Sequence, residues 1–97
     1  MGELYLHRGL AYVALTEFEK GITDFMKAKE TVKSSSDKEN NKYRILLNLG
    51  INLRRVGRAK ESIQYLQAAV TIKPQAPQGY NNLGLSYYET MELQDAI

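Results

Sequence analysis

The chain has 97 residues, 43% of them hydrophobic, and a formal net charge of +2 at pH 7. This composition is typical of one small globular domain with a modest core. Because cysteine is absent, disulfides, thiolate catalysis and cysteine metal sites are excluded. The 13 basic and 11 acidic residues interleave along the chain, which argues against a long nucleic-acid-binding arm.

Targeting features are also missing from the sequence. No run of about 18 apolar residues is available to span a bilayer. The first ten residues, MGELYLHRGL, lack the basic region, apolar core and cleavage site of a secretory signal. We therefore expect a cytoplasmic location, with neither a membrane nor a nucleic acid as partner.

Apolar residues recur at spacings of three and four, which predicts amphipathic helices over residues 2–15, 17–33, 42–56 and 58–72. β-Branched runs with a period of two are missing, so the predicted fold class is all-α. Residues 34–42 are polar, contain nothing to bury, and are predicted to form a mobile loop. Pro74 is expected to end the fourth helix, and Pro77 suits the first turn of the next.

One pattern occurs three times when the sequence is aligned on Gly9, Gly50 and Gly84. A bulky residue stands four positions before each glycine and another stands three positions after it, on the same helical face. Twelve positions after each glycine comes a small residue, followed in the first two copies by Phe25 or Leu66. A glycine inside a helix costs about 1 kcal/mol relative to alanine. Its recurrence predicts that two helices approach closely at this point.

The order of these residues resembles the tetratricopeptide repeat family. The stretches LLNLGINL (46–53), SIQYLQAAVTIKP (62–74) and YNNLGLSY (80–87) carry the resemblance, with a period of 34 residues, and YLHRGLAY with GITDFMKA gives a more divergent copy. In this copy Arg8 replaces the usual leucine, Lys33 stands in place of the proline, and the spacing from Gly9 to Gly50 is 41.

The resemblance implies a right-handed α-solenoid of antiparallel helix hairpins with about two and a half repeats. Repeat 1 is assigned to residues 2–35, a polar insertion loop to 36–42, repeat 2 to 43–76 and repeat 3, truncated in its second helix, to 77–97. About three repeats are usually needed for a stable array. We therefore expect a longer parent array, or self-association through the C-terminal end, and exposure of Leu83, Tyr87 and Ile97.

No enzyme signature is found in the sequence. His7, the single histidine, has neither a cysteine nor a second histidine near it. The glycines do not follow a phosphate-loop pattern, and acidic residues such as Glu17 and Glu61 suit the first turns of helices. We expect no catalytic residue, no metal site and no cofactor.

The family resemblance further implies that the first helix of each repeat lines a concave groove that binds peptide segments. The groove residues follow from their distances to the three glycines. They are Leu6, His7 and Leu10 in repeat 1, Arg44, Leu47, Asn48, Ile51, Arg54 and Arg55 in repeat 2, and Gln78, Asn81, Asn82, Leu85 and Tyr88 in repeat 3. An alternative for Leu47 and Ile51 is burial between adjacent first helices.

Asn48 and Asn82 occupy equivalent positions. Some family members use asparagines there to bind a peptide backbone, while the alternative is a structural asparagine bonded to a neighbouring helix. The groove arginines are expected either to favour an acidic ligand with apolar anchors or to be solvated. Of the carboxylate clamp that binds chaperone C-termini in some members, only Asn48 is matched, so that ligand is not expected.

We therefore predict a non-catalytic module that binds a protein or peptide partner in the concave groove, within a larger scaffold or assembly protein. Two alternatives remain open at this point. One is a structural spacer within a longer repeat array, and the other is a regulatory segment of an enzyme.

Overall fold

The computed structural model describes residues 2–31 and 38–95, and the side chains of residues 4–31 and 41–91. These residues form five α-helices and no strand, so the all-α prediction is confirmed. The helices are α1 (Gly2–Ala14), α2 (Phe18–Thr31), α3 (Lys38–Arg55), α4 (Ala59–Ile72) and α5 (Pro77–Asp95). None of these helices combines the length and apolar character required to cross a membrane.

Equivalent turns close the first two hairpins. Thr16 and Gly57 both stand seven residues after the glycine of their repeat, and both have positive φ values, 60° and 85°. The backbone N–H of the next residue, Glu17 or Arg58, donates to the carbonyl five positions earlier, on Tyr12 or Leu53. Pro77 is the first residue of α5, as its missing N–H predicts.

The start of α3 differs from the sequence prediction. A loop was expected over residues 34–42, but α3 begins at Lys38, and Asn41 is buried. Lysine and glutamate are good helix formers, and the first turn of a helix does not require apolar residues. Polarity alone was therefore a poor guide to a loop, and residues 34–37 of the expected loop lie outside the described residues.

The helices form two layers. Among the first helices of the hairpins, Cα atoms of α3 lie within 8 Å of Cα atoms of both α1 and α5, whereas the described parts of α2 and α4 do not approach as closely. Instead, α2 and α4 are joined by long side chains, such as the Tyr65 hydroxyl that donates to Sδ of Met26 at 3.6 Å. Because α1, α3 and α5 pack more closely, their layer lies on the concave side of the array.

Two apolar clusters hold the layers together. The first joins repeat 1 to α3, and the second joins α3 to α4, with Leu83 of α5 packed against it. The first contains Leu6, Ile22, Phe25, Ala28, Ile45, Leu49 and Leu53, and the second contains Tyr43, Leu46, Leu47, Leu66 and Ala69. Consecutive hairpins therefore share buried surface, as expected of a repeat array.

The glycines lie where the sequence predicted close helix approach, but only two of the three are covered. A Cβ at Gly9 would lie 2.7 Å from Cε1 of Phe25, and a Cβ at Gly50 would overlap Cγ of Leu66. At Gly84, the described residues place no atom within 4 Å of the equivalent Cβ position. Gly50 is therefore required by packing, whereas Gly84 is not required within the described structure.

Arg8, which departs from the usual leucine of the family, forms a bidentate ion pair with Asp24 of α2. Nε and Nη2 donate to the two carboxylate oxygens, each at 2.8 Å. Asp24 is only 2% exposed. The hydrogen bonds from Arg8 lower the pKa of Asp24, outweighing the opposing effect of burial. The departure from the family pattern therefore has a partner on the facing helix.

Alanine substitution at Gly50 and at Gly84 should have opposite effects on stability. In Gly50→Ala the new methyl group displaces Leu66, and overpacking of this kind costs about 1 to 3 kcal/mol. In Gly84→Ala the methyl group enters open space and the helix gains up to about 1 kcal/mol of intrinsic propensity. Urea unfolding of the two variants in dilute solution measures the difference. Equal stability of Gly50→Ala and the parent would disprove the contact.

The ion pair predicts a pH-dependent contribution to stability. Because the folded-state pKa of Asp24 is lowered, the pair stabilises the fold at pH values above the unfolded pKa, about 3.9, and this stabilisation is lost as the pH falls through the folded value. Arg8→Leu leaves the buried carboxylate of Asp24 without its donor, which should lower the free energy of unfolding near neutral pH. The difference between parent and variant should shrink in acid. A difference that stays constant from pH 7 to pH 2 would show that Asp24 does not titrate in this range.

Candidate functional site

The candidate groove lies along the exposed faces of α3 and α5. We refer to the layer formed by α1, α3 and α5 as the inner layer. The described side chains predicted to line it differ widely in exposure. Leu6 and Leu47 are core residues, and Leu10, Asn48, Ile51, Arg54 and Asn82 are partly buried. His7, Arg44, Arg55, Gln78, Asn81, Leu85 and Tyr88 are exposed.

Because Leu6 and Leu47 are buried, their side chains are not available to contact a ligand. Leu6 belongs to the first apolar cluster and Leu47 to the second, against which Ile51 also packs. The alternative of burial between neighbouring helices therefore describes Leu47 better than a groove position does. This part of α3 supplies the support beneath the groove.

The two equivalent asparagines make the same local hydrogen bond. Nδ2 of Asn48 donates to the carbonyl of Arg44, and Nδ2 of Asn82 donates to the carbonyl of Gln78, both at 2.8 Å. Each amide group is thus held against its own helix, four residues back. This orientation leaves the Oδ1 atom of each asparagine as the remaining side-chain acceptor.

Only Asn82 uses that acceptor within the described residues. Oδ1 of Asn82 accepts from Nη2 of Arg54 at 3.2 Å, and Nη1 of Arg54 contacts Oε1 of Glu89 at 3.3 Å. Arg54 therefore links α3 to α5. In repeat 1 the position equivalent to Arg54 is Val13, which has no side-chain donor to offer Asn48. Whether Oδ1 of each asparagine accepts a hydrogen bond therefore depends on the residue at this position of the preceding repeat.

The arginines do not form one cluster. Arg54 donates a hydrogen bond to Asn82 and forms an ion pair with Glu89. Arg55, its neighbour in sequence, lies over the ring of Phe18 at 5.5 Å from the ring centroid, with Nη1 3.5 Å from Oδ1 of Asn52. The side chain of Arg55, the last residue of α3, therefore lies against Phe18, the first residue of α2. Arg44 is exposed on α3 and is the arginine best placed to meet a ligand.

The apolar surface is concentrated on α5. Leu85 and Tyr88, both predicted groove residues, are 47% and 60% exposed. Tyr80, Tyr87 and Met91 of the same helix are also exposed. Tyr87 and Leu83 were both expected to be exposed. The prediction is correct for Tyr87, but it is wrong for Leu83, which is partly buried against the second cluster. Ile97 lies outside the described residues.

The exposure of Tyr80 and Met91 was not predicted from the sequence. Both share the helical face of Gly84, at spacings of four and seven residues from it. In α3 this face is covered by α4, as the position of Leu66 against Gly50 shows. The repeat register provides the signal, because Gly84 occupies the position equivalent to Gly50, and the described residues leave its face uncovered.

A family model described as TPR repeat matches residues 53–90. A second model, described as tetratricopeptide repeat, matches residues 2–31. Together the two matches cover most of the chain. No curated protein matches it.

Alanine at the two asparagines should separate their structural roles. Asn82→Ala removes the hydrogen bond from Arg54 and should lower the free energy of unfolding by about 0.5 to 1.5 kcal/mol. Asn48→Ala removes only a bond to its own helix and should leave this free energy within about 0.5 kcal/mol of the parent value. Urea unfolding of both variants provides the test. Equal losses at the two sites would contradict the assignment of Arg54 to Asn82.

Proposed function

The chain belongs to the tetratricopeptide repeat family, and on that premise we propose that it binds a peptide segment of a protein partner in the groove along α3 and α5. Repeats of this family are generally protein-interaction modules. The proposed module has no catalytic role of its own and serves within a larger scaffold or assembly protein. The exposure of Leu85 and Tyr88 on the inner layer is the observation that carries this proposal.

Leu85 and Tyr88 provide the apolar part of the proposed site. Ile51, the residue of α3 equivalent to Leu85, is partly covered by the second cluster, whereas Leu85 exposes nearly half of its surface. An exposed leucine beside an exposed tyrosine is typical of a surface that a partner buries. A ligand with aliphatic or aromatic side chains would gain most of its binding free energy here.

Asn48 and Arg44 provide the polar part. Oδ1 of Asn48 is oriented by the bond from Nδ2 to the carbonyl of Arg44, and suits a backbone N–H of an extended ligand. Arg44 suits a carboxylate, because a guanidinium binds a carboxylate with paired hydrogen bonds. Arg54 is already paired with Glu89, so Arg44 replaces it as the proposed acid-binding residue.

The distance between these two parts predicts the spacing of the ligand. Arg44 precedes Arg54 by ten residues, or about 15 Å along α3. Arg54 contacts Asn82 and Glu89, on either side of Leu85 in sequence. An extended peptide covers about 15 Å in roughly five residues. The proposed ligand therefore carries an acidic residue about five positions from its apolar anchor.

A structural spacer is the second candidate, and the link between Arg54, Asn82 and Glu89 favours it. This link uses polar groups at the centre of the groove to join α3 to α5. A spacer needs such links and does not need exposed apolar residues. The two candidates therefore differ in what Leu85 and Tyr88 contribute.

Selection from a random peptide library displayed on phage, with the immobilised chain as bait, provides ligands for the test. We expect selected peptides to combine an apolar anchor with an acidic residue. Leu85→Ser and Tyr88→Ser should each weaken their binding about tenfold or more in fluorescence anisotropy, because a buried apolar side chain contributes about 1.5 to 3 kcal/mol. Leu15→Ser, at a leucine 68% exposed in the turn after α1, is the matched control and should bind as the parent does.

Two results would contradict the proposed function. One is a selection that yields no enriched peptides, and the other is a set of peptides whose affinity is unchanged in both groove variants. Either result would favour the spacer. Arg44→Glu tests the polar part separately, because it should weaken the acidic peptides alone and leave peptides without an acidic residue unaffected.

A further inference from the structure

Two arginines outside the groove show how this chain binds a carboxylate. Arg8 donates to Asp24 through Nε and Nη2, at 2.8 Å each. Arg58 donates to Glu61 through the same two atoms, at 3.1 and 2.7 Å. Both pairs therefore have the bidentate geometry that a guanidinium and a carboxylate favour, with two hydrogen bonds formed together.

The groove arginine, Arg54, lacks this geometry. Its contact with Glu89 is a single one, from Nη1 at 3.3 Å, while Nη2 donates to Asn82 at 3.2 Å. The Nε atom is buried and has no acceptor among the described residues. A buried donor without an acceptor is unfavourable, because it has lost its hydrogen bonds to water. Arg54 therefore has one unused donor, on the edge of the guanidinium that bidentate pairs employ.

Glu89 lies where a ligand in the groove would reach it. It follows Leu85 by four residues, so the two side chains share a helical face, and it is next to Tyr88 in sequence. Its side chain is 40% exposed. Partly exposed ion pairs contribute little to stability. Glu89 can therefore leave Arg54 at small cost when another carboxylate takes its place.

We propose, on the basis of the proposed function of the groove, that Glu89 is an internal competitor, which occupies Arg54 in the free chain and yields it to a carboxylate of the ligand. With Glu89 released into solvent, the guanidinium turns toward the groove and pairs the ligand carboxylate through Nε and an Nη atom, as Arg8 pairs Asp24. One ion pair replaces another, and the hydrogen bond to Nε is gained.

This exchange adds a second acidic position to the proposed ligand. The first is the one that Arg44 binds, at a distance from the apolar anchor. Arg54 and Glu89 lie beside Leu85 and Tyr88, so the second acidic residue directly adjoins the anchor. An acidic residue there displaces Glu89, whereas a neutral residue leaves Glu89 paired. The groove thereby distinguishes ligands that share the same anchor.

A synthetic peptide tests the exchange. It begins with aspartate and ends with leucine followed by aspartate, joined by a glycine–serine spacer of the predicted length, and both termini are blocked. A control peptide ends with asparagine instead of the last aspartate. NMR titration up to about 1 mM peptide detects weak binding at the amides of Leu85 and Tyr88. The aspartate peptide should also shift the Nε–H signal of Arg54 downfield, and the control peptide should not.

Variants of the competitor provide the quantitative test. Glu89→Gln keeps the size of the side chain and an acceptor for Nη1, so the fold should be retained. Removal of its charge should lower the dissociation constant of the aspartate peptide about twofold to fivefold and leave that of the control peptide unchanged. Glu30→Gln, at an exposed glutamate of α2, is the matched control for net charge and should bind both peptides as the parent does.

A lysine at position 54 tests whether the gain depends on the guanidinium. Arg54→Lys keeps the positive charge but has no Nε and Nη pair to offer a carboxylate. Glu89→Gln should therefore lose most of its gain in affinity for the aspartate peptide when it is combined with Arg54→Lys. A gain that persists in full would overturn the proposal.

Two further results distinguish the role of Glu89 from that of the groove. If both peptides shift Leu85 and Tyr88 but Glu89→Gln binds the aspartate peptide with the affinity of the parent, the groove binds peptides and the competitor role is wrong. If neither peptide shifts these residues, in the parent or in Glu89→Gln, the groove and the competitor role both fail.

Discussion

The contact between a glycine on one helix and a large side chain on the next is the constraint on which this structure depends. Phe25 lies against Gly9, and Leu66 lies against Gly50. A glycine inside a helix is unfavourable for the isolated helix, but it lets the two helices of a hairpin approach closely and bury the residues around it. Phe25 and Leu66, which occupy this space, are also members of the two apolar clusters that join the hairpins.

Helix positions and close contacts were well predicted from the sequence, because both depend on spacing. Periodic apolar residues define a helix face, and a glycine in register with Phe25 or Leu66 identifies the contact. The start of α3 was predicted less well, since polar residues such as Lys38 tolerate both a helix and a loop. Asn41 is buried in the folded chain, although its polar side chain favours neither burial nor exposure in the sequence pattern.

The arginines show why the candidate site was harder to predict than the fold. Arg54 and Arg55 are adjacent in sequence, yet one pairs with Glu89 of α5 and the other lies over Phe18 of α2. Long flexible side chains choose partners from whatever the neighbouring helices present. Repeat position alone assigns such residues to a face of the helix, but it does not assign them a partner.

The position four residues after each repeat glycine carries a different residue in every repeat, and its side chain has a different environment in each. Val13 packs against Gly21 within repeat 1, Arg54 joins two repeats, and Tyr88 extends an exposed ring from α5. The backbone at the three positions is equivalent, so the array remains regular while the side chains change role. An aliphatic residue contributes to the core, a cation with partners on the next helix fixes the stacking, and an aromatic residue with much of its ring exposed is suited to bind another molecule. The proposed recognition surface therefore lies where the repeats differ, on a framework that the packed glycines Gly9 and Gly50 hold constant.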